Sequence, residues 1–253
     1  KNQGRGNRLF FFGPELTQYI DEVKPFEWDL NPLSFSPAKE IILSGWGSKF
    51  YGYVYDSTND STINYDRILF SEDKKNKIAV LKKSQWSNWV PVSLKWGEYE
   101  VQSHIIFNVI KLDDDGFFRV RAFYNNLNKY NTKPSQVGSE LVQGVGPMVD
   151  FVDNFPPQLI YYDEDKQTFL DEMDMSFDWH TKSIPFILET YNPDVVIHDI
   201  YSPNQMLTSR WWLGYIDPIS QRYNDIDNET RLQLKSEVLE MYKKLDIMVG
   251  TIL

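Results

Sequence analysis

The chain has 253 residues, a formal net charge of -10 and no cysteine. The missing cysteine excludes disulfides, thiolate metal sites and cysteine nucleophiles. The acidity opposes binding to duplex nucleic acid, because no basic stripe offsets it: KNQGRGNR at 1–8 and DKKNK at 73–77 are short and read as solvated surface. At 42% hydrophobic and 25% charged the composition is that of a globular protein, long enough for one large domain or two smaller ones. No apolar run is long enough to span a bilayer. Two glycosylation-type triplets, at Asn59 and Asn228, lean weakly toward export to the extracellular side or cell surface. The chain begins at Lys1, which is read as a natural start removed or left out.

In chain order, residues 1–150 read mostly as strand and turn. The stretch IILSGWGSKFYGYVYD (41–56) alternates apolar or aromatic residues with small or polar ones, bounded by Gly45 and Gly47. The polar run STNDSTIN (57–64) reads as a loop, and DRILF and KIAVLKK as short strands after it. WVPVSLKW (89–96) is another strand, with Pro91 pointing to an edge or an end. The clearest hairpin is HIIFNVIKL, DDDG, FFRVRAFY (104–124). Asp115-Gly116 is a tight-turn signal, and a calcium loop is the poorer reading because Phe-Phe-Arg-Val follows where oxygen ligands would have to continue. On the return strand Phe118, Val120 and Ala122 are expected on one face, with Phe117, Arg119, Arg121 and Phe123 on the other.

Gly138, Gly144, Gly146-Pro147 and Phe155-Pro156-Pro157 break the pattern, which places a boundary near residue 150 and leaves 151–253 as a second region. There QTFLDEMDMSFDWHTKSIPFILETY (167–191) reads as helical segments, with Pro185 forcing a kink or a new start. NPDVVIHDIY (192–201) reads as a buried strand, because it is β-branched and nearly continuous. NETRLQLKSEVLEMYKKLDIMVGTIL (228–253) is the strongest helix. Leu234, Val238, Met241, Leu245, Met248 and Ile252 recur at three- and four-residue steps, with Asp227 or Asn228 as cap. Helix, strand and helix in series predict an α/β layer.

In an α/β sheet the turn after a buried strand is where ligands bind, which directs attention to YSPNQMLTSRWW (201–212). From residue 190 onward the chain resembles the type I phosphodiesterase / nucleotide pyrophosphatase branch of the alkaline phosphatase superfamily. The residues that carry the resemblance are Asp194, Asn204, Thr208, Trp211, Asp217-Pro218, Tyr223, and the helix ending in Tyr242, Asp246 and Gly250. QWSNWVPVSL (85–94) and the hairpin after it look like a β-rich insertion found in some members.

The resemblance implies part of an alkaline-phosphatase-like sheet with flanking helices (151–253), with a β-rich insertion or cap (1–150). It implies two zinc or similar divalent ions, a phosphate ester or nucleotide as substrate, and the remaining part of the same protein or other chains as partners. It places the metal-ligand positions at Asn204 and Thr208, where the family has Asp and His, and puts Trp211 and Trp212 beside the substrate. The substitutions remove the carboxylate and the imidazole that make good zinc ligands. The family's Thr or Ser nucleophile and its later Asp-His-Gly motif have no counterpart in the sequence, so the expected activity is divided. One expectation is phosphate ester hydrolysis with most of the chemistry carried elsewhere, and the other a catalytically inactive relative that binds a partner or serves at the cell surface.

Other candidates have simpler readings. The histidines are His104, His180 and His198. His198 and Asp199 are neighbours on an expected strand and so point to opposite faces. The acidic groups Asp163, Glu164, Asp165 and Asp171, Glu172, Asp174 suit solvated helix ends. Trp86, Trp89, Trp96 and Tyr99 suit either strand packing or a stacking surface for a sugar.

Overall fold

A computed structural model of the chain describes residues 9–12, 18–20, 23–24, 27–45, 48–125, 127–149, 160, 162–209 and 211–253. The segment 1–8, Gly47 and Phe155-Pro156-Pro157, all read above, lie outside the described residues. The protein contains both sheet and helix, in two compact units, Lys1–Asn128 and Lys129–Leu253.

The described residues of the first unit form ten strands: β1 (Leu9–Phe12), β2 (Gln18–Ile20), β3 (Lys39–Gly45), β4 (Ser48–Tyr55), β5 (Arg67–Ser71), β6 (Lys77–Leu81), β7 (Gln85–Trp86), β8 (Val90–Trp96), β9 (Tyr99–Leu112) and β10 (Phe118–Tyr124). They form two five-stranded sheets, one in the order β2-β3-β4-β5-β6, the other β1-β10-β9 with β7 and β8 both against β9. Every pairing is antiparallel. One core lies between the sheets, where Ile41, Val54, Ile68 and Phe70 meet Ile105, Phe107, Val109, Phe118 and Val120. Phe107 stacks on Phe70 at 4.7 Å and meets Phe50 edge-on at 5.4 Å. These rings cluster because alternating side chains of facing sheets interdigitate.

The DDDG turn closes the β9–β10 hairpin. Gly116 has φ +85°, its N–H donates to Asp113 O at 2.8 Å, and Asp113 N donates back to Phe117 O at 2.9 Å. A bulge interrupts the register between Arg119 and Val120. All seven residues of β10 are buried, so Arg119 and Arg121 do not lie on a wet face. Pro91 lies on β8, which pairs with β9 alone. A second cluster holds the outer face of β4: Trp28 packs edge-on against Tyr53 at 5.2 Å and donates to Glu40 at 2.5 Å, and Glu40 also takes Lys74 at 2.7 Å. Glu40 is buried, so the ion pair and the indole N–H satisfy its charge together.

The described part of the second unit is helical: α1 (Val137–Gly144), α2 (Asp163–Tyr191), α3 (Ser202–Thr208), α4 (Leu213–Ile216), a 3-10 turn at Tyr223–Asp225, and α5 (Asn228–Ile252). Two expectations change. Helix α2 runs unbroken through Pro185 for 29 residues, so the proline starts no new segment. Residues 194–200 form no strand, and Val195 and Ile197 are 75% and 95% exposed. A strand is completed by a neighbour that takes its N–H and C=O groups, and none of the described strands pairs with this segment. The α5 reading stands on its buried side: Leu234, Met241 and Met248 are buried at seven-residue spacing, and Asp227 caps the start by accepting Thr230 N at 2.7 Å. Among the described residues no helix is long and apolar enough to cross a membrane.

Candidate functional site

The YSPNQMLTSRWW stretch becomes helix α3 and the turn after it. Pro203 lies in the first turn, where its missing N–H costs no hydrogen bond. Ser202 and Met206 face inward, and Ser202 Oγ lies 3.2 Å from Ser176 Oγ of α2. Asn204 and Thr208 are exposed, one turn apart on the same face. Thr208 Oγ1 donates to Asn204 O at 2.6 Å, a bond along the helix that engages the threonine hydroxyl internally.

Zinc fits these two positions poorly. Asn204 offers a neutral amide and Thr208 a hydroxyl already committed to the backbone, in place of carboxylate and imidazole. Among the described residues no group of three His, Cys, Asp or Glu is arranged to hold a metal ion.

The paired tryptophans after α3 separate in role. Trp211 is half-buried, and its indole N–H donates to Ile160 O. Trp212 is fully buried, with its ring 5.2 Å from Phe169 of α2 and its N–H on Glu237 Oε2 of α5 at 2.8 Å. The other oxygen of Glu237 accepts Lys166 Nζ of α2 at 2.7 Å. Trp212 thus ties the turn to α2 and α5. A second pair, Lys244 with Asp174 at 2.5 Å, joins the same helices. Behind α4, Arg231 is buried over the Tyr223 ring at 3.9 Å and donates to Tyr223 O, to Ile226 O at 3.1 Å and to Tyr215 O at 3.3 Å. These neutral acceptors spread its charge through the turn.

The acidic groups of α2 differ from expectation. Asp165 and Glu172 are buried, and Asp165 Oδ2 accepts Tyr162 N at 3.2 Å in the first turn. In the first unit Trp86 and Trp89 meet Phe123 edge-on at 6.0 and 5.4 Å, which makes them packing partners of a buried ring. Tyr99 is 63% exposed.

One pairing was not visible in the spacing. His180, on α2, and His198, in the exposed segment, meet edge-on with ring centroids 4.7 Å apart. Eighteen residues and a helix end separate them, and no sequence period links a helix to an irregular segment. Burial, then the neighbouring His198, push His180 down to about 4. Burial lowers His198 also, opposed by Asp199.

Comparison with protein families, with curated proteins and with solved structures finds no match for this chain.

Proposed function

We propose that the chain is a phosphodiesterase/nucleotide-pyrophosphatase-like protein of the alkaline phosphatase superfamily, acting on a phosphate ester or nucleotide. The observation that carries this reading is the placement of Asn204 and Thr208. They lie four residues apart on one exposed helix face, directly after a β-branched segment, in the order in which the family sets its Asp and His. The finer fold belongs to the same proposal: an alkaline-phosphatase-like sheet with flanking helices, and a β-rich insertion supplied by the first unit. The two zinc ions rest on the resemblance alone, and the residues at 204 and 208 contribute no charge to them.

A second reading is favoured by the Thr208 bond to Asn204 O. A hydroxyl closed on its own helix suits a catalytically inactive relative in which the turn is kept for its packing. Hydrolysis of a chromogenic phosphodiester, assayed on the full-length protein that carries this chain, with added zinc and with a chelator, separates the two. Metal-dependent turnover supports the enzyme. No turnover with any divalent ion supports the inactive relative.

A further inference from the structure

His198 joins the exposed segment to helix α2. Along 195–197 all three residues are exposed, Val196 least at 37% against 75% and 95% for its neighbours. The exposed His198 meets His180 edge-on at 74°. His180 is 7% exposed, packs edge-on against Trp179 at 5.3 Å, and its Nδ1 is buried with no hydrogen-bond partner in the structure. Just after the segment, Ser202 Oγ lies 3.2 Å from Ser176 Oγ of α2.

We propose that the His180–His198 contact is an acid-operated clip: with both rings neutral it holds residues 194–200 against α2, and on protonation it releases this β-branched segment. Two physical effects drive the release. A proton on His180 Nδ1 creates a buried N–H with no acceptor, and two charged rings at this separation repel. The charged groups that bear on the pair are the two rings and, from the segment itself, Asp199, whose carboxylate favours charge on His198. The nearby α2 charges Asp178 and Lys182 are exposed and paired with each other at 2.5 Å. The sign follows from the lowered affinity of the closed form for protons. The closed form is fully favoured above the ordinary histidine range and loses ground as pH falls toward about 4. The proposal rests on this contact and is independent of the phosphodiesterase reading.

The test is an NMR titration of the chain from about pH 7.5 to about pH 4.5, following the imidazole C–H signals and the methyls of Val195, Val196 and Ile197. Both imidazoles of the pair are expected to titrate below the ordinary range. The three residues' methyls should shift with them, while those of buried Met206 and Leu234 stay. For one proton taken up, the open population grows about tenfold per pH unit. His198→Gln, at an exposed position, cannot become charged and should abolish the pH response of the methyls. The clip is overturned if His180 titrates in the ordinary histidine range, if the methyls of 195–197 do not follow the imidazoles, or if they still respond to pH in His198→Gln.

Discussion

Strand β10 and the segment 194–200 are both short, apolar and rich in β-branched or aromatic residues, yet they end differently. Phe118–Tyr124 pairs with β1 on one side and β9 on the other, and every one of its residues is buried. Asp194–Ile200 pairs with no described strand, and Ile197 is 95% exposed. The difference teaches that β-propensity is a statement about fit to a sheet. A tight turn delivers a neighbour to β10. The other run lies between two helices in the chain, and its His198 meets the His180 ring.

Substitution can break this contrast. The largest effect is expected at Phe123, a buried ring of β10 packed by Trp86 and Trp89. Phe123→Ala should cost about 3–5 kcal/mol in urea unfolding, whereas Ile197→Ala should stay within about 0.5 kcal/mol. A cost above about 1 kcal/mol at Ile197 would mean that the segment is held more firmly than its exposure implies. Trp212→Phe should come next, at about 1–3 kcal/mol, because it keeps most of the ring and removes the N–H bond to Glu237. Retained stability there would show that the turn after α3 does not depend on this tie.

Gly116→Ala probes what gives β10 its neighbour. A Cβ would meet Lys39 Nζ at 2.9 Å, and the backbone sits at φ +85°. A loss of about 1–2 kcal/mol in thermal unfolding is expected from the backbone penalty. Ser202→Ala should give a smaller change than Gly116→Ala, about 0.5–1.5 kcal/mol, by removing one side of the contact with Ser176. The same variant should loosen the end of the 194–200 segment, seen as faster amide exchange there.

How much was legible in the sequence follows the same physics. The β9–β10 hairpin could be read because its turn chemistry is local: Asp115-Gly116 needs no distant partner to make sense. Helix α5 could be read because its buried seven-residue rhythm and the Asp227 cap sit within one segment. Residues 194–200 misled because a strand depends on a neighbour outside the pattern. At Pro185 a new start did not follow, because the proline removes one helical N–H and the long helix around it persists. At the 201–212 turn, helical spacing was legible and tertiary contacts were not. Asn204 and Thr208 do share a face, but the burial of Trp212 on Glu237 and the meeting of His180 with His198 are set by tertiary packing. No spacing rule encodes either.

Under the proposed function, the 201–212 turn would keep the layout of a metal site with neutral residues in the ligand positions. The direct measurement is calorimetric zinc titration of the chain, of Asn204→Ala/Thr208→Ala, and of Asn204→Asp/Thr208→His. The first two are expected to behave alike and the third to gain affinity, because it regains an anionic and an imidazole ligand. Zinc binding by the chain that disappears in Asn204→Ala/Thr208→Ala would contradict it.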